Sequence, residues 1–111
     1  MSVPTARLGD RALGGISDGD AAALRAALLD HRRARADQIE ALLLLAATGA
    51  DVVERRELVL AQAVLAEVEA ALERLDDGTY GWCVRCTEPI GATRLHAAPR
   101  TRFCIGCALE R

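Results

Sequence analysis

The chain has 111 residues and a net charge of −2, and its residues are 51% hydrophobic but only 3% aromatic. This length allows one domain, or a small domain with an appendage, while the few large side chains exclude a thick globular core. Abundant alanine and leucine favour helices, so we expect a thin helical structure. The negative net charge provides no general attraction to DNA or RNA. No membrane-spanning run or secretory segment is evident, so we expect a cytoplasmic protein.

The first part of the chain divides into a tail and a long helix. Residues 1–16 are rich in Gly, Pro, Ser and Arg without a sustained period, and we predict a flexible tail there. Ser17 and Asp20 form a capping-box pattern that begins the helix, and no glycine or proline follows until Gly49. A neighbouring stripe through Ile39 and Leu43 is the alternative for part of the seam of this helix. The expected seam is a stripe at 4-3-4-3 spacing that is apolar at its ends and polar in its middle: Leu24, Leu28, His31, Arg35, Gln38, Leu42 and Leu45.

A second helix is predicted from about Val52 to Asp76, with Gly78 ending it. Its apolar positions repeat in the 3-4-3-4-3 pattern that is typical of a coiled-coil seam: Leu58, Ala61, Leu65, Val68, Leu72 and Leu75. Two long helices joined by a short loop are antiparallel neighbours. We therefore predict a coiled-coil hairpin over residues 17–77, roughly 40 Å long, with its tip near residues 47–53.

The four cysteines form two Cys-x-x-Cys pairs, and seventeen residues separate the pairs: Cys83, Cys86, Cys104 and Cys107. This spacing predicts one structural zinc ion with four thiolate ligands. The spacer is predicted to hold strand- and turn-like pieces without another helix. Four thiolates leave no open coordination position, so we do not expect an enzyme, and neither His31 nor His96 is needed as a ligand. A pair of redox disulfides is the alternative, although no βαβ pattern accompanies the cysteines.

Several segments around the cysteines resemble the DksA/TraR (DnaK-suppressor) family of C4-type zinc-finger proteins. They are Gly-Thr-Tyr-Gly-Trp-Cys at 78–83, Cys86, Pro89-Ile90, Arg-Leu-His-Ala-Ala-Pro at 94–99, and Cys-Ile-Gly-Cys at 104–107. The resemblance implies a mainly α fold, with a long antiparallel hairpin, a small zinc ribbon over residues 78–111 and a short C-terminal helix. It also implies direct binding to RNA polymerase, with the ribbon gripping the outside of the secondary channel and the coiled-coil tip projecting towards the active centre.

The resemblance also identifies candidate contact residues. The family's tip carries Asp-x-x-Asp-x-Ala, and the aligned positions here are Thr48, Asp51 and Val53. We predict Asp51 and Glu54 as the effector tip, with helix capping as the alternative role of Asp51. Arg94 and Arg102 are the candidate polymerase contacts.

Guanosine tetraphosphate binding is not predicted. The family's basic alarmone-binding positions align here with Leu60, Glu67 and Ala108, and a carboxylate at Glu67 disfavours an anionic nucleotide.

Other functions stay open. A nucleic-acid-binding ribbon would use a basic and aromatic set: Arg85, Arg94, Arg100, Arg102, Trp82 and Phe103. A structural adaptor would instead pair two hairpins into a four-helix bundle, and we expect a monomer or a weak dimer. Residues 42–45 are all leucine and cannot all face one seam. The excess leucines either pack on the tail or a second copy, or insert against a protein partner.

Overall fold

The computed structural model describes residues 15–49 and 52–110, and it contains two long helices followed by two short ones. These are α1 (Asp18–Ala47), α2 (Val52–Asp77), α3 (Ala92–Ala97) and α4 (Ile105–Leu109). The mainly helical fold predicted from the sequence is confirmed. The predictions of a flexible tail and of an effector role for Asp51 fall on residues outside the described ranges, apart from Gly15 and Ile16 at the end of the tail.

Helix α1 begins and ends where the capping residues predict. The Oγ of Ser17 accepts a hydrogen bond from the Asp20 N–H at 2.9 Å, which satisfies one of the free donors of the first turn. At the other end, the Thr48 hydroxyl donates to the Leu45 carbonyl at 2.8 Å. Gly49 follows with a φ of 95°, a conformation that leads the chain out of the helix.

Helix α2 ends one residue later than predicted, at Asp77. Gly78 has a φ of 82°, which a side chain would make unfavourable. The backbone N–H groups of Thr79 and Tyr80 then donate to the Arg74 carbonyl at 2.9 and 3.1 Å. This turn leads directly from the hairpin into the cysteine segment.

The core of the molecule lies at the base of the hairpin, near the cysteine segment. Helices α1 and α2 pack along each other, and the Arg25 guanidinium contacts the Asp76 carboxylate at 3.0 Å. Helix α3 and the start of the cysteine segment complete this core. Its buried members are Ile16, Leu24, Leu28, Val68, Ala71, Leu72, Leu75, Tyr80 and Leu95.

Fewer side chains between α1 and α2 are buried as the distance from the base of the hairpin increases. His31 is exposed, and the half-buried side chains of Arg35 and Gln38 each keep one buried polar atom without a hydrogen-bond partner among the described residues. Beyond them, only Leu42 and Ala61 are buried in the described part of the hairpin.

Two members of the α1 stripe lie outside the seam. Leu45 is 50% exposed and His31 is also exposed. A straight helix drifts by about 20° per heptad from a 3.5-residue repeat, so a long stripe gradually leaves the seam. Among the residues described, no helix is long and apolar enough to cross a membrane.

Candidate metal centre and its attachment to the hairpin

Two backbone turns bring the four cysteines together. Cys83 and Cys86 lie on the turn after α2, while Cys104 caps α4 and Cys107 lies within it. The four sulfur atoms all lie within 4.8 Å of one another, and the Sγ atoms of Cys86 and Cys104 are 3.7 Å apart. A tetrahedron with Zn–S bonds of about 2.3 Å has S···S edges of about 3.8 Å. The donor set and its spacing therefore fit one structural zinc ion.

Backbone N–H groups point at the sulfur atoms, as is usual around thiolate ligands. The Cys107 N–H lies 3.4 Å from the Cys104 sulfur. Burial opposes ionisation of Cys83, but N–H groups of Cys86, Cys104 and Arg85 lower the pKa of its thiol below the usual value. Such donors stabilise negative charge on sulfur, which is the form that binds metal.

The first cysteine turn requires an unusual backbone conformation at Thr87. This residue has a φ of 64°, and it is the only non-glycine residue with positive φ among those described. Its N–H donates to the Cys83 carbonyl at 2.9 Å, which closes the turn. A β-branched residue in the left-handed region is strained by roughly 1–2 kcal/mol.

Thr87→Gly is therefore expected to stabilise the metal-bound module by about 0.5–1 kcal/mol, since glycine relieves the strain but gains freedom in the unfolded chain. Competition with a chromogenic chelator measures this directly, and zinc should be held about two- to fivefold more tightly. Thr93→Gly is the matched control, because Thr93 lies in α3 without positive φ, where glycine destabilises. Weaker zinc binding by Thr87→Gly would contradict this account of the turn.

The spacer between the cysteine pairs contains a helix, so the prediction that it has none is wrong. Gly91, with a φ of 100°, precedes α3, and Leu95 is fully buried against the base of the hairpin. The strand-like part is limited to a single antiparallel bridge between Trp82 and Pro89. A helix of six residues is too short to show a hydrophobic period, so only its packing against the hairpin reveals it.

Polar contacts hold the module on the hairpin. The Arg74 guanidinium of α2 donates to the Thr101 carbonyl of the module at 3.4 Å, and within the module the Tyr80 hydroxyl donates to the Pro99 carbonyl at 2.7 Å. An ion pair between Arg100 and Glu67 and a hydrogen bond between His96 and Asp20 also join the module to the long helices. The zinc module is thus fixed against both α1 and α2.

A groove of about 660 Å³ lies between the face of α2 around Glu67 and the loop that precedes Cys104. Its walls include Ala66 and Ala70 of α2 and Pro99 of the loop. Glu67, which aligns with one of the family's alarmone-binding positions, lies in this groove and contacts Arg100. The Glu67 carboxylate therefore pairs with the positive charge of Arg100, which lines the same groove.

The hydrogen bond between His96 and Asp20 predicts a pH effect. The hydrogen bond from His96, at 2.9 Å, is the main reason that the pKa of Asp20 is lowered. A lowered carboxyl pKa stabilises the fold above the ordinary aspartate pKa, and this stability is lost as the pH falls through the lowered value. His96→Ala should raise the pKa of Asp20, as followed by NMR titration of its carboxyl carbon. His31→Ala is the control, and a rise there or none in His96→Ala would contradict the pairing.

The predicted contact residues lie at opposite ends of the molecule. Glu54 lies in the first turn of α2, at the far end from the cysteines. Arg94 donates from Nε to the Phe103 carbonyl at 2.9 Å and from its terminal nitrogen to the Thr101 hydroxyl at 3.3 Å. Arg102 is exposed and lies over the Phe103 ring at 5.3 Å. Their roles as contacts stay predictions.

The basic residues of the module mostly have partners within the chain. Arg85 contacts the Glu110 carboxylate at 3.4 Å, and Arg100 contacts Glu67. Because of these contacts and the internal hydrogen bonds of Arg94, fewer guanidinium groups of the module are available to bind nucleic-acid phosphates. The structural roles of Tyr80 and Thr101 were not predicted from the sequence. Only Tyr80 could have been noticed there, because it is a large aromatic residue and the single tyrosine of the chain.

Comparisons with known proteins agree with this architecture. Residues 78–111 match the model of the prokaryotic dksA/traR C4-type zinc finger. An uncharacterized protein of Aquifex aeolicus is 52% identical over 48 residues, and the RNA polymerase-binding transcription factor DksA of Haemophilus influenzae is 41% identical over 44 residues. The structure of transcription factor DksA2 from Pseudomonas aeruginosa is similar with a TM-score of 0.72 and 28% identity, covering 85% of this chain and 84% of that one.

The similarity in sequence is local, whereas the similarity in fold extends over most of the chain. The two sequence relatives match 43% and 40% of this chain, and the matched stretches span only 33% and 30% of the relatives themselves. The family model likewise covers the zinc module alone. For most of the long hairpin, the similarity to the DksA2 structure is therefore mainly one of fold.

Proposed function

The chain belongs to the DksA/TraR family of C4-type zinc-finger proteins, and from this premise we propose that it is a transcription regulator that binds RNA polymerase directly. The zinc module is the anchor on the outside of the polymerase secondary channel. The hairpin enters the channel and carries the effector tip. Such a regulator acts in the cytoplasm and needs no DNA sequence of its own.

The observation that supports this proposal is that the zinc module is fixed to one end of the long helical hairpin. We call the module the base and the hairpin the rod. Helices of 30 and 26 residues give a rod of roughly 40 Å, at about 1.5 Å per residue. Three polar contacts hold the base and rod in one orientation, so that binding of the base would fix the direction of the rod. Cys83, Cys86, Cys104 and Cys107 are the proposed zinc ligands.

The surface of the base supports a role for Arg102. Its guanidinium is exposed beside Phe103, an arrangement in which a cation and an aromatic ring can meet a protein partner together. Arg94 acts on this contact indirectly, since it holds the Phe103 carbonyl. We do not propose guanosine tetraphosphate as a ligand, because Glu67 places a carboxylate in the groove beside Arg100.

Retention of purified core polymerase by the immobilised full chain tests the proposal. The wild-type chain should retain polymerase at low salt, and Arg102→Glu should weaken retention about tenfold or more, because rim charges act on association. Arg33→Glu makes the same charge change on α1 and is the control. Absence of polymerase binding by the wild-type chain at low salt would refute the proposal.

Transcription with the same purified polymerase tests the effector tip. The wild-type chain should alter the lifetime of promoter complexes, and Asp51→Asn should remove this effect while polymerase is still retained. An unchanged effect of Asp51→Asn, together with a lower melting temperature, would leave Asp51 as a helix cap only.

A further inference from the structure

Both long helices carry a second stripe of regularly spaced residues along one edge of the seam. On α1 this stripe has 4-3-4-3-4 spacing: Arg25, Leu29, Arg32, Ala36, Ile39 and Leu43. On α2 the spacing is the same, and the stripe shares its leucines with the seam: Leu58, Gln62, Leu65, Glu69, Leu72 and Asp76. A 3.5-residue repeat is the period with which one helix packs along another. Helices with two adjacent stripes can therefore contact two neighbours, as the helices of a four-helix bundle do.

The two stripes lie on one side of the hairpin, which we call the striped face. Near the base, Arg25 of α1 and Asp76 of α2 form an ion pair at 3.0 Å. Further along, a groove of about 740 Å³ is lined by both helices, with Leu29 and Ala36 of α1 and Leu65 of α2 among its walls. The charged residues of the groove that lie outside the stripes are all on α1: Asp30, Arg33 and Asp37. The striped face is thus a concave surface that both helices form.

Apolar side chains of the striped face keep accessible surface in the single chain. Leu29 is 39% exposed and Leu43 is 50% exposed, and Ile39, Leu58 and Leu65 are half-buried. The isolated hairpin leaves this surface in water. Its removal from water is a driving force for association with a partner of matching shape.

The charges of the striped face have opposite signs on the two helices. The arginines, Arg25 and Arg32, lie on α1, and the carboxylates, Glu69 and Asp76, lie on α2. Because Arg25 contacts Asp76, Arg32 and Glu69 lie at one height, seven residues further from the base on each helix. Both line the groove, and the described part of the chain contains no ion pair between them. Arg32 and Glu69 are therefore the charges of this face that remain available to a partner.

A second copy of the same face is complementary to this arrangement. A two-fold axis parallel to the hairpin places α1 of each copy against α2 of the other at the same height. Arg32 of each copy then meets Glu69 of the other, and Leu43 meets Leu58. An axis perpendicular to the hairpin would instead place α1 on α1 and α2 on α2, so that the basic stripe would face a basic stripe and the acidic stripe an acidic one.

We propose that the chain forms a dimer in which two striped faces pack together as a four-helix bundle, with both hairpins pointing the same way. From Arg25 to Leu43 the face is about 27 Å long, at about 1.5 Å per residue, and a pair of packed helices is about 20 Å wide. Pairing would bury on the order of 600 Å² per copy, which is at the low end for specific interfaces. A dissociation constant in the micromolar range is therefore expected. The dimer goes beyond the proposed function and does not rest on it.

Charge reversal in the full zinc-loaded chain tests the pairing by sedimentation equilibrium. Arg32→Glu and Glu69→Arg should each weaken the dimer about tenfold or more, because two-fold symmetry turns two attractive contacts into two repulsive ones. An equimolar mixture of the two variants should regain the dimer, since every contact between these positions then joins opposite charges. Arg56→Glu makes the same charge change at an exposed position of α2 outside the stripe and should dimerise as the wild type does. Circular dichroism should show all variants folded.

The dimer assay contains no polymerase, so its result is independent of the proposed function. A wild-type chain that stays monomeric at high concentration would overturn the proposal, and so would a dimer that neither reversal weakens. Weakening by both reversals without recovery in the mixture would show that Arg32 and Glu69 do not meet across the interface, which also overturns it. A monomeric wild type whose retention of polymerase is weakened by both reversals, but not by Arg56→Glu, would assign the striped face to polymerase instead of a second copy.

Discussion

Removal of the metal by a chelator is expected to unfold residues 78–110 while the two long helices stay largely helical. Few side chains of this segment are buried, chiefly Tyr80, Cys83, Leu95 and Cys107. So little apolar burial does not offset the conformational entropy of a segment of this length. Metal binding in small four-ligand modules is worth roughly 10–16 kcal/mol at neutral pH, and this free energy is folding free energy.

Three measurements check this expectation. Trp82 is the single tryptophan and lies beside Cys83, so its fluorescence reports the module alone. Trypsin should cut at Arg85 and Arg102 after chelation and much more slowly before it. Helical ellipticity should fall only slightly, because α3 and α4 have 6 and 5 residues against 30 and 26 in the hairpin.

A matched pair of variants gives the control for the chelator. Cys107→Ser should reduce bound zinc well below one ion per chain and reproduce the effects of chelation, since Cys107 is buried among the other sulfurs. Thr93→Ala, in the same module, should keep one zinc ion. Unchanged Trp82 fluorescence and protease resistance in zinc-free protein would show that the metal is not structural.

The long helices were predictable because local signals agree with one another. Ser17 caps α1, Gly49 ends it, and Gly78 ends α2, each through backbone chemistry that is confined to a few neighbouring residues. The cysteine spacing also predicted the zinc module, since a tetrahedral ion imposes a local geometry on each Cys-x-x-Cys turn. Such features depend little on the rest of the fold.

The contacts between the module and the hairpin were not predictable from the sequence. Arg74 and Thr101 are 27 residues apart, and Asp20 and His96 are separated by 76. Nothing in local periodicity encodes such pairs, because they depend on how the module packs on the finished hairpin. Exposure of Leu45 was missed for a related reason, since the stripe assumed a seam that continues to the last turn of α1.

Tyr80 belongs to the module and packs in the core at the base of the hairpin. Replacing it is expected to have the largest effect of any single side chain outside the zinc site. Its ring is fully buried, and its hydroxyl donates to the Pro99 carbonyl at 2.7 Å. Tyr80→Ala should lower the free energy of unfolding by about 3–5 kcal/mol, as for other buried aromatic residues. Tyr80→Phe keeps the ring and should cost only about 1–2 kcal/mol, because it leaves the Pro99 carbonyl without its donor. Urea denaturation followed by circular dichroism measures both changes, and Thr93→Ala serves as the exposed control.

The hydroxyl of Tyr80 also predicts how stability changes at high pH. Burial raises its pKa to about 12, although the nearby Arg74 guanidinium opposes the shift. A raised pKa favours the neutral phenol in the folded state, so stability is fully present below the ordinary tyrosine pKa and is lost as the pH rises through about 12. Since Tyr80 is the single tyrosine, the ultraviolet absorbance of its phenolate follows this titration without interference. Tyr80→Phe should flatten the alkaline fall in stability relative to the wild type; an equally steep fall in both proteins would assign the alkaline transition to the thiols or arginines instead.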